Sequence, residues 1–194
     1  GHRLTIHAGV DQLPAVKRPI LQRSDGVHPC PCIDPRATRT LEDVLYDRFG
    51  IEDGKGVLVM EATYPITVTS RVFTGGPQGG SSGNGVRSVT SQALRPGEMV
   101  LPGVRVADGF RTNIGFVNLG PASCQARVTL RDQAGNAIGS QRTLTVPTQG
   151  WQQENDIFVN AGAGVRSDAY ATVEILTTGC TLWGYGSVVD QNTG

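Results

Sequence analysis

A chain of 194 residues fits one large domain or two small ones and is long enough to bury a modest core. Its 17 basic and 17 acidic residues cancel, so no strong field draws nucleic acid or an anionic membrane, and neither a nucleic-acid partner nor membrane insertion is expected. With 26 glycines, few aromatics, and Val and Thr in short alternating runs, the composition is that of strands joined by tight turns, and no segment approaches the roughly 18 apolar residues of a membrane span.

In chain order, "GHRLTI" (1–6) opens an alternating strand pattern. "GVHPCPCID" (26–34) sets His28, Cys30 and Cys32 at every second position, and Pro29 and Pro31 between them remove ladder donors, which demotes the segment to a sheet edge or a loop. "TLEDVLYDRFG" (40–50) places Leu41, Val44, Leu45 and Phe49 at helical spacing, so an extended crossover ending in a turn or short helix is expected there. "VLVM" (57–60) and "SRVF" (70–73) are further strands, and "GGPQGGSSGNG" (75–85) is a flexible loop or linker, because its glycines have no side chain to pack and cost backbone entropy to order.

The second half is easier to parse. "EMVLPGVRV" is a candidate strand, and in "FRTNIGFVNL" Phe110, Thr112, Ile114 and Phe116 share one face against Arg111 and Asn113. "CQARVTLRD" turns Ala126, Val128 and Leu130 inward, "QAGN" signals a hairpin, and Leu144 and Val146 alternate with Thr143 and Thr145. "WQQENDIFV", "DAYATVEILT" and "CTLWGYGSVVD" complete about seven short strands, the pattern of an immunoglobulin-like antiparallel sandwich.

The two halves also match each other. "GHRLTI" reads against "GFRTNI", "ILQRSDG" against "TLRDQAG", "EDVL" against "NDIF", "VLVM" against "VEIL" and "SRVF" against "GSVV", always in the same order. The expectation is therefore an all-β chain of two tandem immunoglobulin-like sandwich domains related by internal duplication. They would span 1–77 and 98–194, with a Gly/Ser-rich linker or loop at 78–97. The first copy has nothing upstream matching "MVLPGVRV", so its sheet would lack an edge strand and be open to strand addition.

"GFRTNIGFVNLGP", the "RVTLRDQAGNAIGSQ" hairpin, "GWQQENDIF" and the closing "YGSVVDQNTG" resemble a repeat found near the C-termini of bacterial secreted and surface proteins. "RTLEDVLYDRFGIEDGKGVLVMEATYPITVTSRVF" resembles the second half of the same unit. The resemblance implies tandem immunoglobulin-like sandwiches and an extracellular or cell-surface location, with any leader already removed, and residues 7–35 depart furthest from the pattern.

On an immunoglobulin-like sheet Cys124 and Cys180 fall at the same end of two parallel strands flanking one neighbour, so a Cys124–Cys180 disulfide is expected, with no equivalent in the first copy. For Cys30 and Cys32 two readings stand: a local bridge or free thiols, and a metal site with His28, to which His2 and His7 could add ligands. The Cys-x-Cys spacing is not the usual zinc knuckle, and no cofactor is expected. Asp43 and Asp156 recur in both copies, which suggests a turn or cap contact to backbone N–H groups. Trp151, Trp183 and Tyr185 are candidate sugar-stacking residues, although a core or inter-sheet position is the more ordinary place for such a pair as Trp183 and Tyr185.

No nucleophile elbow or phosphate loop is present and every histidine is N-terminal, so no enzyme is expected. The leading expectation is a non-catalytic structural or adhesive module that assembles with copies of itself, or with other cell-surface proteins, by sharing strands. The alternative is a carbohydrate-binding or accessory domain of a larger secreted hydrolase, with a polysaccharide as partner.

Overall fold

The computed structural model describes residues 4–10, 33–34, 36–52, 56–75 and 81–191. The chain divides into two compact units, Gly1–Thr67 and Val68–Gly194. Cys30, Cys32, His2 and His28 lie outside the described residues, and so does the question of a bridge or metal among them.

In the first unit, β1 (Leu4–Val10) pairs antiparallel with β2 (Gly56–Ala62), with Leu4 opposite Ala62 and Val10 opposite Gly56. Between them runs α1 (Val44–Phe49), entered through Asp43 at φ 38° and ended by Gly50 at φ 67°. Both residues are left-handed, a conformation that Asp tolerates and Gly adopts without strain.

The second unit begins with β3 (Thr69–Gly75) paired antiparallel to β4 (Ser81–Arg87). The expected linker at 78–97 is therefore partly strand, and it is tied to the second unit by the reciprocal bonds Arg95 N–H to Leu182 O (2.9 Å) and Leu182 N–H to Arg95 O (3.0 Å). Ladder bonding overrides the poor strand propensity of "SSGNG".

Seven further strands build a sandwich: β5 (Glu98–Val106), β6 (Phe110–Asn118), β7 (Cys124–Arg131), β8 (Arg142–Val146), β9 (Gly150–Glu154), β10 (Arg166–Ile175) and β11 (Trp183–Asp190). They form a four-stranded sheet in the order β5-β10-β7-β8 and a three-stranded sheet in the order β11-β6-β9, with every neighbouring pair antiparallel. An immunoglobulin constant domain pairs its second strand with its fifth and its third with its sixth, and β6–β9 and β7–β10 keep both pairings. The edges differ. Here the first strand, β5, flanks β10, the last, β11, flanks β6, and β8 returns to β7 as a hairpin, so the strand order departs from the immunoglobulin one.

The expected inward sets are buried, although burial does not alternate along β6, where the outward Asn113 and Val117 are buried as well. Thr112, Ile114 and Phe116 of β6, Ala126, Val128 and Leu130 of β7, and Leu144 and Val146 of β8 are all buried. Phe110 lies at the margin with the Arg105 guanidinium 3.7 Å above its ring. A short α2 (Ile157–Ala161) adds Ile157, Phe158 and Ala161 to the core. Thr112, fully buried, joins the sheets: its hydroxyl donates to Arg105 O (2.7 Å) and accepts from Arg105 N–H (2.9 Å).

The proposed duplication finds one geometric echo and one discord. α2 repeats the entry and exit of α1, with Asp156 at φ 51° and Gly162 at φ 63°. Neither Asp43 nor Asp156 makes a side-chain cap bond, so the recurring acids set the backbone turn, and the cap contact expected of them is not made. In contrast, β1 and β2 pair directly, whereas their counterparts β6 and β10 lie in different sheets.

Candidate functional site

The two glycines of "WGYGS" decide which way β11 faces. A Cβ on Gly184 would lie 2.7 Å from Met99 Sδ and 2.9 Å from the Phe116 ring, and one on Gly186 3.3 Å from Val104 Cγ1. Those positions point into a core already filled, so Trp183 and Tyr185 point away from it. They therefore occupy the outer face of the three-stranded sheet, not the core position that is the more ordinary expectation for such a pair. Register extends the row: Val117 is opposite both Trp183 and Trp151, and Gly115 is opposite both Tyr185 and Gln153.

The rings are held in place by contacts among themselves. Trp183 and Tyr185 stack at 5.4 Å between centroids with 27° between planes. Trp151 Nε1–H donates to Tyr185 OH at 2.7 Å, and that hydroxyl donates to Gln153 Oε1 at 2.7 Å. The Tyr185 side chain crosses the central strand at Gly115, where any Cβ would collide with the ring. Burial holds the Tyr185 hydroxyl above its ordinary pKa of 10, while the bond from Trp151 acts the other way, so the hydroxyl stays protonated at neutral pH. With the polar edges of Trp151 and Tyr185 satisfied, the three aromatics form a half-buried platform.

Beyond the aromatics the face turns polar. Ser187 is opposite Asn113 and Val189 opposite Arg111. Arg111 Nη1–H donates to Asn113 Oδ1 at 2.5 Å, and the same oxygen accepts the main-chain N–H of Asp156 at 3.1 Å. Gly115 and Gln153 are absent from the residues that the sequence singles out, and Arg111 and Asn113 enter there only as the outward face of their strand. The isolated glycine inside "TNIGFVN" was the available signal, since glycine in a strand marks a close approach.

The other candidates fall elsewhere. Cys124, at the start of β7, and Cys180, in the segment leading to β11, are joined in a disulfide with Cα atoms 5.9 Å apart. The bridge links the two sheets, whereas the immunoglobulin arrangement would have put both cysteines on one sheet, because the last strand sits beside β6. Asp132 closes the β7–β8 hairpin: its carboxylate accepts from Asn136 N–H (2.8 Å) and Asn136 Nδ2–H (3.2 Å), and these bonds hold its pKa below the usual 3.8. Among the described residues no group of three or more His, Cys, Asp and Glu side chains is placed to hold a metal ion, and no helix is long and apolar enough to cross a membrane.

No protein-family model and no curated protein matches the chain. The solved structures that match include the Anabaena sensory rhodopsin transducer, at 13% identity and a TM-score of 0.37 over 46% of this chain and 91% of that one, a likeness too distant to carry an argument.

Proposed function

We propose that the chain is a non-catalytic, adhesive module of the bacterial cell exterior, and that its second unit binds polysaccharide on the outer face of the three-stranded sheet. The observation that carries this reading is the Trp151–Tyr185–Trp183 row, pinned by its own hydrogen bonds and turned away from the core. Aromatic faces bind sugar rings through their apolar C–H surfaces, and a preset row loses little side-chain entropy on binding. An extracellular setting suits the Cys124–Cys180 bridge, because disulfides persist in oxidising compartments. The test is affinity electrophoresis through gels cast with a panel of polysaccharides. The native chain is retarded in at least one gel, and Trp183→Ala and Trp151→Ala abolish the retardation. Equal mobility in all gels, or retardation that survives both substitutions, overturns the reading.

Assembly between copies is a second reading, supported by the β3–β4 pair. Two-stranded hairpins are marginal in water on their own, and Val72 and Val86, which share a face by register, stand 68% and 46% exposed. In this reading the tandem immunoglobulin-like duplication, echoed in the matched entries and exits of α1 and α2, supplies a chain of similar modules that exchange strands. Light scattering across a concentration series checks it: growth of dimers or fibres supports strand sharing, and monomers at every concentration rule it out.

A further inference from the structure

The outer face of the three-stranded sheet is nearly free of charge. Of the side chains that register places on it Arg111 alone is charged, and Asn113 and Val117 on the same strand are buried. Arg111 sits at the opposite end of β6 from the aromatic rings. From Val117 to Arg111 the strand covers about 20 Å at its ordinary rise per residue, room for an extended oligosaccharide. The guanidinium uses one donor on Asn113 Oδ1, which leaves the rest of its five-donor fork for a ligand. The nearby acid, Asp156, meets Asn113 through its main-chain N–H, and the salt bridges among the described residues of the sandwich are Arg127–Glu174 and Arg142–Glu154, neither of which involves Arg111.

We infer that this face takes a carboxylate-bearing polysaccharide, its sugar rings stacked on Trp151, Trp183 and Tyr185 and a uronate carboxylate paired with the Arg111 guanidinium. The charge complements the ligand's, and an Arg fork matches a carboxylate in geometry as well as in sign. The inference rests on the reading of this face as a polysaccharide surface.

The test compares polygalacturonate with its carboxyl-reduced neutral counterpart, a pair that differs only in the acid groups, using the full disulfide-bonded chain. The native protein binds the polyuronate about tenfold more tightly than the reduced polymer, and added salt narrows the gap. Arg111→Gln abolishes the difference between the two polymers, Arg111→Lys keeps part of it, and Trp183→Ala weakens binding to both. Equal affinity of the native chain for the two polymers overturns the inference, as does a preference that survives Arg111→Gln, or tighter binding to a single-stranded oligonucleotide than to the polyuronate. Binding to neutral polysaccharides alone removes the acidic specificity and leaves the platform standing. Binding to no polysaccharide at all removes the platform itself.

Discussion

Asn118, at the end of β6, is completely buried and fully bonded: its Nδ2 donates to Ala122 O (2.7 Å) and Pro147 O (3.0 Å), and its Oδ1 accepts from Gly120 N–H (2.8 Å). One side chain thus closes the β6–β7 turn and anchors the chain leaving β8, which gives the "NLGP" signature a physical meaning. Asn118→Ala strands two carbonyls and an N–H at a cost of about 1–3 kcal/mol each where water cannot reach them. The expected loss is therefore about 3 kcal/mol, read as a lower urea midpoint at unchanged m-value. Gly115 carries a different load, since its missing side chain is the space that Tyr185 occupies. Gly115→Ala should displace the ring, break the bonds to Trp151 and Gln153, and reduce polysaccharide binding at least tenfold while costing little stability, because the displaced group moves outward. A tryptophan fluorescence shift alongside a near-native melting temperature checks this, and unchanged binding contradicts the role given to the Tyr185 ring.

At the scale of elements, the seven-strand alternation was legible because inward sets such as Ala126–Val128–Leu130 need only a period of two. That Trp183 and Tyr185 share a face was equally legible. Which face they share was not, because it depends on Phe116, Met99 and Val104 having already filled the space over Gly184 and Gly186, a tertiary fact. Strand order was hidden for the same reason: the exchange of β5 and β11 between the sheets rests on pairings such as Thr172 with Val100 and Gly186 with Ile114, far apart along the chain. β4 was hidden because Ser, Gly and Asn carry almost no strand propensity, so its ladder to β3 leaves no local mark. The edge exchange also changes what the disulfide does. Cys124 and Cys180 are separated by 56 residues, and the bridge fastens the β7 end of one sheet to the segment that leads into the edge strand of the other. Closing a loop of that length restricts the unfolded chain by roughly 4 kcal/mol in the chain-entropy account. Reduction, or a Cys124→Ala/Cys180→Ala pair, should lower unfolding stability by about that amount, and amide exchange should accelerate first in β11. A loss below about 1 kcal/mol would mean that the sheets are held at that end by packing alone.

For the whole molecule, the question is where independent stability resides. The buried cluster runs from Leu101 to Leu182, entirely inside the second unit, and in the first unit no hydrophobic side chain is buried among those described, at 33–34, 36–52 and 56–67. The tie that extends the sandwich toward the N-terminus, Arg95 with Leu182, also lies within the second unit. A chain beginning at Val68 keeps every one of these contacts, together with the disulfide and the aromatic face. It should fold cooperatively without the preceding residues, melt within a few degrees of the main transition of the full chain, and bind polysaccharide with the same affinity, because a core's contribution depends on the apolar surface that it removes from water. Differential scanning calorimetry of the two chains side by side decides the matter. If the shorter chain unfolds well below the longer one, or loses binding while folded, then residues before Val68 support the sandwich or its face. Matching transitions and matching affinities locate both stability and binding in the disulfide-linked sandwich.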